Sequence, residues 1–327
     1  MTVREVLVTG ATGFVGSHVA EALSERGVRA RAVVRATSDT SVLKRLGIEP
    51  VVVSLEDEAR LAEAISGADA VIHLAALTHA RTESELLRVN ALGTQRVLEA
   101  SLHAVNGPRR FVYLSSLAAA GPSVTRPVRE SDEPRPLTAY GRSKLAGERV
   151  VTELGGGIEA VTLRAPAVYG PGDRELLRFF RMAKLGLMTI PSGPDRPLQF
   201  VHVKDLARGV VMAALQEGLR GTYNVAESTA YAFRDACRMI GAAVGRTPVF
   251  VPVPAAAIAV AAGVSETFSR AAGKSTMFNR EKVREVLAPG WLCETGNAKD
   301  AFGFAAEIPL AAGLQGTAEW YRTKGWL

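Results

Sequence analysis

Through the first half of the chain, short apolar runs rich in Val, Ile and Leu alternate with longer stretches whose apolar positions recur every three to four residues. The runs have the character of strands buried on both faces, and the stretches have the period of amphipathic helices. Strands are therefore predicted over 3–9, 29–35, 51–54, 70–74, 111–115 and 160–163, with helices over 13–26, 41–46, 57–65, 83–103 and 137–154 between them. Strands that alternate with helices in this way form right-handed βαβ units, hence an α/β fold with a parallel sheet covered on both faces.

After Arg164 the alternation breaks. Gly170-Pro171-Gly172 and Pro191-Ser192-Gly193-Pro194 read as loops, and 200–203 and 222–225 as strands around a helix at 205–215. The last third reads as mostly helical, with an amphipathic segment at 255–272 and a final helix near 310–322. Segment 255–272 is expected to be a core-packing helix rather than one that lies on a membrane. The Trp-containing end, Trp320 to Trp326, is expected to pack against the same body.

Composition narrows the class. The 327 residues are 47% hydrophobic and 22% charged, which suits a soluble globular protein and excludes disorder and fibrous structure. That length suits about two domains, or one large α/β domain with an added lobe. The net charge of +6 comes from 39 Lys and Arg against 33 Asp and Glu spread over the whole chain. With no basic run and no aromatic-interleaved basic patch, it predicts a solvated basic surface and no nucleic-acid partner. Cys237 and Cys293 form no CxxC motif and the five histidines are scattered, so neither a disulfide framework nor a metal site is expected. The first five residues show no apolar signal core, and the longest apolar run, 255–264, falls short of the roughly 20 residues a bilayer span needs. A cytoplasmic protein without stable membrane insertion is expected.

Candidate chemistry begins at the first turn. The first strand runs directly into Thr9-Gly10-Ala11-Thr12-Gly13-Phe14-Val15-Gly16, a GxxGxxG spacing. Gly10 permits the turn out of the strand, Gly13 lets a pyrophosphate approach the backbone, and Gly16 lets the helix pack on the sheet. The helix N-terminus offers free N–H groups and the positive end of its dipole to the phosphates. At the end of the second strand, where a carboxylate would bind the ribose 2′-hydroxyl of NAD, stands Arg35. A guanidinium there suits a 2′-phosphate, so NADP is favoured over NAD.

Tyr140-Gly141-Arg142-Ser143-Lys144 places a phenol and an ammonium on one helix face, four residues apart. A neighbouring lysine cation is expected to lower the phenol pKa from about 10, making Tyr140 a usable acid or base. The fifth strand ends in Ser115-Ser116, and hydroxyls at strand carboxyl ends face the ligand cleft of a parallel sheet. Ser116 would hold a substrate oxygen while Tyr140 moves the proton.

Glycine turn, strand-end serine and YxxxK in this order resemble the extended short-chain dehydrogenase/reductase superfamily, the NAD-dependent epimerase/dehydratase group. The similarity extends through Val71-Ile72-His73-Leu74-Ala75-Ala76, Val89-Asn90-Ala91-Leu92-Gly93-Thr94, the stretch from Leu163 to Gly172, and Phe200-Val201-His202-Val203-Lys204-Asp205-Leu206-Ala207. The resemblance implies a Rossmann doubly wound sheet over 1–165, with 203–225 returning to it, and a smaller, mostly helical substrate lobe from 166–202 and 226–327. It implies Ser116, Tyr140 and Lys144 as the catalytic set. It implies Gly10, Thr12, Gly13, Phe14, Val15, Arg35, Leu74, Ala75, Ala76, Lys144, Pro166 and Val168 at the dinucleotide. Asn90 would support the active site from a helix, and His73 would be structural.

Departures from the family pattern sharpen the reading. Dehydratases of the group resemble Thr-Asp-Glu after the fifth strand, where this chain has Ser116-Leu117-Ala118, so the acid/base pair for dehydration is missing. Many nucleotide-sugar epimerases show Arg-Tyr-Phe-Asn where this chain has Arg164-Ala165-Pro166-Ala167, so the sugar-holding amide is missing. The third strand ends at Ser54 where an acid usually meets the adenine. Segment 255–272 and the last nine residues are similar to the subgroup of 3β-hydroxysteroid dehydrogenase and dihydroflavonol reductase relatives. The expectation is an NADP-dependent oxidoreductase that interconverts a hydrophobic ketone and a secondary alcohol, with a nucleotide-sugar 4-epimerase and an idle dinucleotide-binding protein as rivals. A homodimer is expected through helices 83–103 and 137–154, with Leu86, Val89, Gly93, Val97 and Leu98 as its apolar stripe.

Overall fold

The computed structural model describes residues 3–271 and 279–327; the start of the chain and residue 272 of the expected 255–272 helix lie outside them. Seven strands form one wholly parallel sheet: β1 (Glu5–Thr9), β2 (Arg29–Val34), β3 (Glu49–Val52), β4 (Ala70–His73), β5 (Arg110–Ser116), β6 (Glu159–Ala165) and, from later in the chain, Gly221–Asn224. Their spatial order places β3, β2 and β1 on one side and β4, β5, β6 and Gly221–Asn224 on the other. The strand order therefore reverses between β1 and β4, which is where ligands of doubly wound sheets bind, outside the carboxyl ends.

Helices α1 (Phe14–Glu25), α2 (Ser41–Arg45), α3 (Glu58–Ile65), α4 (Glu83–Leu87), α5 (Gly93–His103), α6 (Leu117–Ala120) and α7 (Ala139–Leu154) connect these strands. Alternate side chains of each strand face opposite layers. Val6 and Val8 pack with Val19 and Leu23 of α1, whereas Leu7, Phe111 and Tyr113 pack with Leu61 and Ile65 of α3 and Val97 and Leu98 of α5. The expected helix 83–103 is continuous but carries one π-helical turn, Arg88–Leu92, between α4 and α5. The third strand lies two residues before its expected place. It is an edge strand, half exposed, and it tolerates Pro50 because an edge needs no donor on its outer side.

The expected dimer stripe is used inside the subunit. Leu86, Gly93, Val97 and Leu98 are buried and Val89 is half buried, because this face of the helix covers the sheet.

The rest of the chain adds β7 (Ala167–Tyr169), α8 (Leu177–Lys184), β8 (Leu187–Pro191), β9 (Pro197–Leu198), β10 (Phe200–His202), α9 (Val203–Leu215), β11 (Gly221–Asn224), β12 (Tyr231–Ala232), α10 (Phe233–Ala243), β13 (Val249–Val253), α11 (Ala255–Ala271), α12 (Arg280–Val286), α13 (Gly296–Phe302) and α14 (Leu310–Thr323). Helix α9 joins α1 against the main sheet through Leu206 and Val210. The expected strand 200–203 pairs with β7 in a separate two-stranded ribbon. A second core gathers Tyr169, Phe180, Ile190, Phe200, Ile240 and Tyr321, with Trp320 and Trp326 packed against it as expected. Helix α11 is not a core helix: Ala262 is the buried member of 255–269, and the apolar residues around it face outward. No helix among the described residues is long and apolar enough to cross a membrane.

Candidate active site

The carboxyl ends of β1, β4, β5 and β6 form the floor of a cleft, and the turn after β1 forms its wall. Gly10 has φ +76°, and a Cβ on it would sit 2.7 Å from the Ala75 nitrogen in the segment after β4. A Cβ on Gly16 would meet the Gly10 carbonyl oxygen at 2.1 Å, so α1 reaches the sheet this closely only with glycine there. Gly13 differs: its Cβ position meets only the Gly10 oxygen, at 3.3 Å, and Thr12 and Gly13 are exposed. Helix α1 begins at Phe14 with no side-chain cap and no acid in its first turn, leaving its N–H groups free. A bare glycine wall ending in an uncapped helix fits a pyrophosphate. Phe14, Val15, Leu74, Ala75, Pro166 and Val168 are partly exposed around the floor and Ala76 is open. Arg35 follows β2 directly, is exposed, and its guanidinium forms no ion pair or hydrogen bond with a described residue.

Ser116 and Tyr140 meet across this cleft. Ser116 ends β5 and accepts the Ala118 N–H at 3.2 Å, which starts α6. Its hydroxyl lies near enough to the Tyr140 phenol to favour the charged form of that phenol. Burial pushes the phenol pKa up to about 12, and the Ser116 hydroxyl offsets part of that rise. Thr138 caps α7 by accepting the Gly141 N–H at 3.1 Å. Gly141 and Gly147 let α7 lie flat on the sheet: a Cβ on either would come within 2.4 Å of the Ala118 carbonyl oxygen or the Tyr113 hydroxyl.

Lys144 departs from expectation in one respect. It shares the helix face of Tyr140, but its Nζ donates to the Leu114 carbonyl at 2.7 Å and lies 4.1 Å from the centre of the Tyr113 ring. Burial lowers its pKa to about 7, with the Glu148 carboxylate one turn further along α7 holding it up. A cation drawn toward a carbonyl and an aromatic face is not spent on the phenol. The group that lowers the Tyr140 pKa in this structure is Ser116 rather than Lys144.

Behind this pair lies a relay of buried polar groups. Asn90 sits on the π turn, where the widened backbone aims it inward. Its Oδ1 accepts the Leu77 N–H at 2.8 Å, and its Nδ2 donates to the Leu77 carbonyl at 2.8 Å and to Ser143 Oγ at 2.9 Å. Ser143 in turn donates to the Tyr140 carbonyl at 2.8 Å. His73 bridges Thr9 Oγ1 at 2.6 Å and Thr94 Oγ1 at 3.1 Å, and burial lowers its pKa to about 3, so it is neutral and structural.

Sequence reasoning missed a buried ion pair beneath the site. Arg164 on β6 donates to Glu148 on α7 at 2.6 Å, and Ser115 donates to the same carboxylate at 2.5 Å. Glu148 follows Lys144 by four residues, the only signal that could have found it.

The family model for the NAD dependent epimerase/dehydratase family matches residues 6–226. The ceramide reductase of Caulobacter vibrioides (strain NA1000 / CB15N) is 31% identical over 98% of this chain and 96% of its own length. Among solved structures, gox2253 superposes with a TM-score of 0.82 at 27% identity over 99% of both chains. MoeE5 in complex with UDP-glucuronic acid and NAD superposes with a TM-score of 0.77 at 26% identity, over 98% of this chain and 99% of its own. The similar proteins thus include one named as a reductase and one solved with a nucleotide sugar and NAD. With the model spanning both the glycine turn and the Tyr140–Lys144 helix, this chain belongs to the NAD-dependent epimerase/dehydratase family of oxidoreductases.

Proposed function

We propose that the protein is an NADP(H)-dependent reductase that converts a hydrophobic ketone to a secondary alcohol. The carrying observation is that Ser116, at the carboxyl end of β5, and Tyr140, on α7, bring their hydroxyls near each other. Residues 1–165 and 203–225 hold the dinucleotide, through Gly10, Thr12, Gly13, Phe14, Val15, Leu74, Ala75, Ala76, Pro166 and Val168. Residues 166–202 and 226–327 shape the substrate side. Arg35 selects the 2′-phosphate.

A bound nicotinamide supplies the hydride. Ser116 Oγ donates a hydrogen bond to the substrate carbonyl oxygen and polarises it. Tyr140 gives its proton to that oxygen as the carbonyl carbon becomes tetrahedral, and recovers a proton from solvent. A phenol whose pKa is about 12 rests in its acid form at neutral pH, which suits reduction better than oxidation. Lys144, held at Leu114 and Tyr113, would hold the nicotinamide ribose when the dinucleotide is bound.

Two features favour the reductase over a 4-epimerase. Ala167 stands where many epimerases hold the sugar with an amide, and the relative that matches over nearly the full length of both chains is named for reducing a ceramide. The test follows NADPH with a panel of lipophilic ketones. Stoichiometric oxidation supports the reading. Turnover of a UDP-sugar without net change in cofactor selects the epimerase, and tight dinucleotide binding without turnover on either panel selects a binding protein.

The homodimer through the two long helices stands as part of this proposal, on a face other than the buried stripe. Leu87, Leu92, Leu102 and Leu154 remain exposed there. Light scattering at micromolar concentration would show twice the 34.7 kDa of one chain.

A further inference from the structure

Helix α11 presents an uncommon surface. From Ala255 to Val264 it has no polar side chain, and five of its alanines between 255 and 261 face water. Val260 is 67% exposed, Val264 55% and Phe268 76%. These three are four residues apart and line one side of the helix. The chain arrives at α11 from the parallel β8–β13 ribbon, whose register partners Leu187 and Val249 are themselves exposed. An exposed apolar face of this extent marks an interaction surface rather than scattered surface leucines.

We propose that α11 docks on the surface of an anionic lipid bilayer. Charge selects this partner. Residues 244–286 carry six Lys and Arg against three Glu. All three glutamates are occupied: Glu266 by the Arg280 N–H, Glu281 by the Ala139 N–H and Arg142, and Glu285 by Lys282. The Arg280 guanidinium lies against α11 itself, 3.3 Å from where a Cβ on Gly263 would be. A cation set beside an apolar helical stripe is how interfacial helices meet lipid phosphates while sinking their apolar face into the acyl boundary. Helix α11 is also tied to the helix of Tyr140 through α12. Helix α11 packs on α12, and Glu281 of α12 accepts the Ala139 N–H one residue before Tyr140. A lipophilic ketone would thus leave the bilayer beside the catalytic phenol. This last step rests on the reductase reading, whereas the docking rests on exposure and charge alone.

The test floats the full chain with vesicles of phosphatidylcholine, with and without phosphatidylglycerol. We expect flotation with the anionic vesicles, weaker flotation with the neutral ones, and release as salt rises. Phe268→Asp should lower the partition by roughly tenfold or more, the worth of one buried aromatic side chain. Its thermal unfolding and its turnover of a water-soluble ketone should stay unchanged, since Phe268 touches neither core nor cleft. Absence of flotation, or flotation equal in Phe268→Asp, overturns the proposal. Loss of dimer mass in Phe268→Asp also overturns it, because a second copy then covers the face. Flotation without ketone turnover keeps the docking and removes the reductase instead.

Discussion

Lys144 and Phe268 stand at opposite extremes of the same molecule. The lysine is charged by nature and 2% exposed; the phenylalanine is apolar and 76% exposed. At the cleft, burial of polar groups is tolerated because each is held by another element: Asn90 by the segment after β4 and by α7, His73 by β1 and α5, Lys144 by β5. On α11, exposure of apolar groups has no such compensation among the described residues. The difference teaches where each region obtains its free energy. The cleft is fixed by the fold before any ligand arrives, while the outer face of α11 has its favourable burial still to gain from a partner.

If the cleft is a preorganised acid site, its largest response is chemical. Tyr140→Phe should reduce ketone turnover on the order of 10²–10⁴-fold, the usual contribution of a positioned general acid. Dinucleotide affinity, followed by fluorescence titration, should change within a few fold. Turnover retained within a few fold would place the proton elsewhere.

Next in size is the relay that positions the helix of Tyr140. Asn90→Ala leaves the Leu77 N–H, the Leu77 carbonyl and Ser143 without their partner in a buried place. Each orphaned group costs about 1–3 kcal/mol, so a loss of about 2–4 kcal/mol in unfolding free energy is expected after partial relaxation. Urea denaturation measures it. A loss below about 0.5 kcal/mol would mean that the π turn is held by its backbone alone.

Arg35 lies at the rim and should have a smaller effect. NADPH should bind more tightly than NADH, and Arg35→Asp should reverse the order, with roughly tenfold or more between them from the charge-assisted contact to phosphate. Calorimetric titration of both nucleotides decides it, and tighter binding of NADH to the unaltered protein would overturn the assignment.

The two regions also differ in how far the sequence could be read. Around the cleft, βαβ rhythm places Gly10 and Ser116 at strand ends and Tyr140 and Lys144 on one helix face, so spacing singles them out as candidates and the family resemblance implies their roles. The sheet then brings together residues as far apart in the chain as Gly10 and Lys144, since a parallel sheet aligns all its carboxyl ends. Two features escaped. The Glu148–Arg164 pair joins a helix to a strand across 16 residues with no local signature. The orientation of Lys144 follows from the Tyr113 ring beneath it, on a strand whose facing the sequence does not fix. In the lobe the strands β7, β8, β9 and β13 are short ribbon pieces without alternation, and α11 resembles a core helix because composition records apolarity and not the absence of a covering layer.

The last predicted effect is one of pH rather than of ligand, and concerns His73, on the protected side of the comparison. Its pKa in the folded protein is about 3, lowered by burial and by the nearby Lys144 charge, against 6.5 for the free side chain. Between those values the unfolded chain binds a proton that the folded chain refuses, so acid favours unfolding. The contribution of neutral His73 is therefore complete above pH 6.5 and is lost progressively as the pH falls toward 3. From pH 7 to pH 5 this amounts to about 2 kcal/mol by linkage. Other groups titrate over the same range, His202 with the same sign and Asp173 with the opposite one. The informative quantity is thus the difference between the protein and His73→Gln, which keeps a donor and an acceptor for Thr9 and Thr94 but cannot take up the proton. His73→Gln should be less stable at pH 7 and should close the gap at pH 5. Parallel stability curves for the two proteins over this range would show that folded His73 takes up its proton as readily as the unfolded chain does, and that the acid sensitivity resides in another group.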